Sequence, residues 1–216
     1  MYDTGGTRSV CDYAALDYDV NARINWLKGE LARADETATR PARGDEDEAG
    51  TVALAPALTP AEAYRWFGAF LGLFPPAAIF SNFLFSSAGR EKMLVPVLFC
   101  VVMNAVCWLV GMKVGGAVGR LIGDPRNHSR AGLVFKSVLL AVAWAVATGG
   151  AGGAVFFGFG ALFGAMFALP VALVAFPVFA ALHRLHARGG MIEARSLWPL
   201  AYGVPGVVAA LILSVE

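Results

Sequence analysis

Residues 93–136 read MLVPVLFCVVMNAVCWLVGMKVGGAVGRLIGDPRNHSRAGLVFK. An apolar run, interrupted before Lys113 only by Asn104, gives way to a basic loop holding Arg120, Arg126 and Arg130. About twenty apolar residues let a helix cross roughly 30 Å of hydrocarbon. Arginines clustered beside such a run mark its cytoplasmic side. This stretch makes an integral membrane protein the expectation and sets which way up the chain lies. It does not give an activity.

The rest of the chain agrees with that class. Hydrophobic residues make up 57% of it and charged residues only 15%, where a soluble domain carries about a quarter. The charge is unevenly placed. Residues 1–62 hold twelve acids against six bases, and residues 63–216 hold four acids against eleven bases. An acidic head on a basic-flanked membrane part is expected. The division is a cytoplasmic segment at 1–36, an acidic linker at 37–58 and a transmembrane helical domain at 59–216.

The opening residues MYDTGGTRSVCDYAALDYD carry an acid at position 3 and no apolar core of a secretory signal, so the first membrane helix is expected to do the targeting. Within the head, Val20, Ile24, Leu27 and Leu31 recur at helical spacing and predict an amphipathic helix. It is expected to pack on its own protein, with a partner helix as the sharper alternative. No period survives from Thr37 to Leu58, and the acid run Asp45–Glu48 sits in its middle, so disorder is expected there. A linker of about twenty residues spans roughly 25 Å as a flexible coil. The acid run could therefore reach the basic loops as a salt-sensitive flap.

An all-α bundle of about five spans follows. Thr59-Pro60-Ala61-Glu62 reads as a capping box with proline at the first helical position, launching a span at about 63–85. Gly68 and Gly72 form a small-xxx-small pair there, ahead of Pro75-Pro76. The second span is about 93–114, and Gly111, Gly115 and Gly119 extend a glycine zipper along it. Between Leu133 and Leu182 Lys136 is the only charge, and one helix of that length would overshoot any bilayer. The cluster Thr148–Gly153 is the strongest breaker available, so spans are expected at about 131–151 and 154–182, the latter carrying Gly160 and Gly164. A last span at about 197–215 holds Pro199 and Pro205, and a re-entrant hairpin is its alternative. Six arginines fall in the loops 115–130 and 183–196. Positive-inside then puts the N-terminus and those loops in the cytoplasm.

Chemistry is sparse. The apolar spans contain no Asp, Glu or His, and there is no nucleophile motif, phosphate loop or intramembrane carboxylate pair. No enzyme activity, cofactor or nucleic-acid partner is expected. Asn104 reads as an interhelical hydrogen-bond former. Cys100 and Cys107 are seven apart on one helix, roughly 10 Å and beyond disulfide reach. His128, His183 and His186 fall on one side of the membrane, where Asp124 or Glu193 could complete a metal site. The resulting reading is a non-enzymatic membrane subunit or scaffold that meets the lipid bilayer and a protein partner, or its own copies, through glycine-rich helix faces. A small transporter or channel with proline-broken helices is the alternative, and a water-filled cavity reaching Asn104 would favour it.

Overall fold

The structure is a computed structural model, and it describes residues 20–21, 23–33, 57–86, 94–123, 128–155, 159–188 and 190–214. The acid run Asp45–Glu48, residues 37–56 of the expected linker, and the possible metal ligand Asp124 lie outside them. So does the arginine at position 126.

Among the described residues the chain is almost wholly helical. A helix covers residues 20–33 apart from residue 22 (α1). It is followed by β1 (Ala57–Leu58), α2 (Pro60–Ser86), α3 (Leu94–Ile122), α4 (Arg130–Ala154), α5 (Phe159–His186), β2 (Ile192–Glu193) and α6 (Ala194–Ser214). The helices α3, α4, α5 and α6 are each long and apolar enough to cross a membrane. At 1.5 Å per residue, the 29 residues of α3 extend about 44 Å. Among the described residues these four of the expected spans meet the requirement by length and composition. The other expected span is α2, 27 residues long, with Glu62 in its first turn and Pro75 and Pro76 inside it. It lies innermost, packed on α3 along one side and on α6 along the other.

Local sequence explains how α2 starts. Thr59 N donates to Glu62 Oε2 at 2.9 Å, and Glu62 N donates to Thr59 Oγ1 at 3.3 Å. This reciprocal pair satisfies two of the donors that a helix start leaves open. The two residues before it, Ala57 and Leu58, fall at the end of the expected linker and instead form β1. Ala57 and Leu58 pair antiparallel with Glu193 and Ile192, and Leu58 packs on the buried core. This small sheet clasps the chain entering α2 to the chain entering α6. A tight turn at Arg188–Met191, with Gly190 at φ 82°, feeds β2. That backbone region favours glycine because it lacks a Cβ. The turn back between α5 and α6 thus has defined structure.

Two further expectations are corrected. The chain does not turn at Thr148–Gly153. The helix α4 runs through all four glycines to Ala154, and α5 begins at Phe159. Gly149 and Gly153 face α5 and Gly152 faces Cys107 of α3, which compensates for their weak helix propensity, while Gly150 has open space beside it. The apolar stripe of α1 does not pack on the protein either: Val20, Ile24, Leu27 and Leu31 are all exposed. The last segment is one continuous helix through Pro199 and Pro205, and not a re-entrant hairpin.

The core sits at the end of the bundle that holds the β1–β2 clasp. Phe67 stacks on Phe179 with ring centroids 4.0 Å apart and planes 8° from parallel. Tyr64 meets Phe179 edge-on at 4.9 Å, and Phe176 meets Phe67 edge-on at 5.2 Å. Trp144 of α4 closes the cluster against Phe176 at 5.6 Å. Such pairs add about 0.5–1.5 kcal/mol each beyond the area they bury. They join α2, α4 and α5 at one level of the bundle.

Candidate functional site

The glycines singled out by spacing all lie in two seams inside the molecule. Along the first, α2 and α3 touch backbone to backbone. A Cβ on Gly68 would lie against Gly111 O and 3.0 Å from Gly115 Cα. One on Gly72 would meet Cys107 O, and one on Gly119 would meet Pro60 O and stand 2.8 Å from Ala61 Cα. Real Cβ atoms do not approach backbone so closely, so only glycine permits this contact. The second seam joins α4 to α5. There Gly149 opposes Gly164, and Gly153 opposes Gly160. The glycines of α4 were read as a breaker, but their i, i+4 spacing matches that of Gly160 and Gly164 in the facing helix. That match was the available signal. The chain is thus two glycine-locked helical hairpins, α2–α3 and α4–α5, with α6 laid against the first.

Side chains set the hairpins against each other. Trp144 Nε1 donates to Gly111 O at 3.3 Å, a buried bond from α4 onto the α2–α3 seam. Cys107 Sγ approaches Thr148 O at 3.8 Å. Both Cys100 and Cys107 are free thiols. Nothing in the sequence distinguished Trp144 from an interfacial anchor.

Asn104 is half-buried, and its Oδ1 is enclosed without a hydrogen-bond partner among the described residues. The three histidines have three different surroundings. His183 is buried beside Tyr64, ring centroids 5.7 Å apart, with neither ring nitrogen hydrogen-bonded among the described residues. His186, one turn on, is exposed and its Nδ1 stands 2.9 Å from Leu182 O. His128 Nε2 lies 3.3 Å from Lys136 Nζ. The spacing of three puts His183 and His186 near each other in sequence, yet one is inside the bundle and the other outside it. Among the described residues no three of His, Cys, Asp and Glu gather where they could hold a metal. Glu193 stands 3.8 Å from Arg188 across the β2 turn.

Above the aromatic cluster, α2 and α5 part. The opening is a cavity of about 460 Å³. Leu71, Gly72, Pro75 and Pro76 of α2 wall one side, and Phe163, Gly164 and Phe167 of α5 wall the other. Cys107, Trp144 and Thr148 form its back. Among the described residues its walls carry no charge, and Asn104 is not one of those lining it.

The fold and these seams define an all-helical, membrane-compatible bundle built from two glycine-locked hairpins. Compared with protein-family models, curated proteins and solved structures, the chain matches none.

Proposed function

We propose that the chain is a non-enzymatic integral membrane subunit. Its partner is a transmembrane helix of a neighbouring protein, another copy of itself included. The observation that carries this reading is the outer face of α3. Leu94, Leu98, Val101, Val102, Ala105 and Leu109 recur at helical spacing, and all are exposed. In its most apolar stretch α3 has 11% of its residues buried, the least of the four candidate spans. The glycine seam holds the half of α3 from Cys107 onward, and in the preceding half these residues remain exposed while Met103 and Asn104 are half-buried. Valines in a helix hold essentially one rotamer, so ordering Val101 and Val102 against a partner costs little side-chain entropy. The glycine stripes themselves are occupied within the chain, which moves the proposed partner surface from those stripes to this face.

A carrier would need a polar path, and intramembrane ionisable groups usually mark one. The cavity walls supply neither charge nor Asn104, which supports the subunit reading over transport.

The proposed orientation has the N-terminus and the basic loops in the cytoplasm. It is supported by Arg120, Arg130, Lys136, Arg184, Arg188 and Arg195, which all fall at the clasp end of the bundle. The test of function is assembly size. Extracted from its own membranes in mild detergent, the wild-type chain should migrate in a complex heavier than one 22.7 kDa chain in its micelle. Val101→Trp should release it. A single-chain particle for the wild type, or an unchanged complex for Val101→Trp, would overturn the reading.

A further inference from the structure

We infer that the cavity between α2 and α5 is a binding site for an uncharged amphiphile, one apolar chain ending in a single hydroxyl group, entering sideways from the bilayer. This goes beyond the proposed partner surface, which lies on α3 and shares no residue with it.

The space comes from three features of the chain. Glycines at 72, 160 and 164 leave parts of the wall without side chains. The aromatic cluster of Phe67, Phe176 and Phe179 holds α2 and α5 together below and goes no higher. Pro75 and Pro76 remove two N–H groups from the middle of α2. At about 460 Å³ the cavity is within the range of small-molecule sites, roughly 300–1,000 Å³. Phe163 and Phe167 line it yet are 56% and 57% exposed, so its mouth faces outward on α5. For a helix of this composition that direction is lipid.

The walls also say what the ligand carries. A charged headgroup would have to leave water without any counter-charge to meet it, which is prohibitive. A purely apolar chain would leave two sets of polar groups unanswered. Thr148 is 2% exposed, and its Oγ1 has no hydrogen-bond partner among the described residues. Threonine in a helix ordinarily turns its hydroxyl back onto the carbonyl three or four residues earlier, and here it does not. Opposite, the carbonyls of Leu71 and Gly72 lack their usual donors, because the residues four further on are Pro75 and Pro76. Both residues line the cavity. One hydroxyl on the ligand can donate to a carbonyl of α2 and accept from Thr148. The cavity thus offers an apolar wall and a hydroxyl-sized polar point, the chemistry of a long-chain alcohol or a prenol.

The experiment uses the full chain in nanodiscs and hexadecanol bearing a mid-chain diazirine as the probe. After photolysis, label should concentrate on 71–80 and 160–171 and be displaced by excess hexadecanol. Hexadecane should compete about three- to tenfold more weakly, the factor expected for one net hydrogen bond, and hexadecyl phosphate should compete more weakly still, because its charge finds no partner in the cavity. Thr148→Val should erase the preference for the alcohol over hexadecane, and Thr148→Ser should keep it. Label spread evenly over Leu94–Leu109 and the cavity would mean bulk lipid only and overturn the site. Equal competition by alcohol and alkane in the wild type, or an unchanged preference in Thr148→Val, would overturn the hydroxyl assignment.

Discussion

Gly68 and Gly111 occupy space that no other residue could share: a Cβ built on either meets the carbonyl oxygen of the other. The seam that follows from this pair joins the first two long helices into one unit. It makes glycine at these positions a requirement of packing.

Gly111→Leu should therefore separate α2 from α3. Over-packing costs about 1–3 kcal/mol and more when backbone must move, and Trp144 Cζ2, 3.3 Å from the position of the added Cβ, blocks the other exit. Gly115→Leu should behave alike. The control is Gly116→Ala on the same helix. There the nearest foreign atom is Arg65 Cβ at 3.6 Å, so the methyl group fits and helix propensity should add about 0.5–1 kcal/mol. Thermal unfolding in detergent reads both. Equal melting temperatures for Gly111→Leu and wild type would show that α2 and α3 are not locked here.

Gly149 and Gly164 make the matching test for the second hairpin. Gly149→Leu should destabilise by a similar amount, whereas Gly150→Ala, with nothing within 4 Å of the added Cβ, should not. A chain that turned at these glycines would tolerate both.

How much of this was legible follows from range. The capping box at Thr59–Glu62 spans three residues and its chemistry is local, so the sequence displays it outright. The apolar helices are legible because lipid demands one composition along their whole length. Glycine is ambiguous: the same residue breaks a solvated helix and lets a buried one touch its neighbour, and only the facing helix decides. That is why Gly149–Gly153 reads as a turn in sequence and forms a seam in the fold. The bond from Trp144 to Gly111 and the cavity beside Thr148 join residues far apart in the chain, and no local pattern announces them. The clasp of Ala57–Leu58 on β2 is two residues long, too short for any periodicity to show.

The cap of α2 should be worth a measurable amount. Thr59→Ala removes the hydroxyl that accepts from Glu62 N, and loss of such a cap costs about 0.5–2 kcal/mol. Thr59→Ser should retain most of it. Denaturation midpoints of the three proteins check this, and indistinguishable values for Thr59→Ala and wild type would contradict it.

His183 and zinc can be examined together. The ring has no hydrogen bond and aromatic neighbours on two sides, so His183→Leu should leave the melting temperature unchanged or raise it, since an unsatisfied buried polar group is removed. A bound metal would stabilise the fold by mass action. On the observed geometry, excess zinc should shift neither the wild type nor His186→Ala. A rise for the wild type that His186→Ala abolishes would establish the metal site that the sequence spacing suggests.

Orientation is open to labelling. Ser86→Cys and Glu216→Cys should react with an impermeant maleimide from outside intact cells. Reaction of either from the cytoplasmic side alone would reverse the proposed topology.

The most direct test of the subunit reading is a cysteine scan of α3 in native membranes, with oxidative or short bifunctional cross-linking. Cysteines replacing Leu94, Leu98, Val101 and Ala105 should form adducts to a second polypeptide. Those replacing Val134, Phe135 and Leu139 on the exposed face of α4 should not. Adducts at every exposed position alike, or at none on α3, would contradict the account and leave that face to lipid.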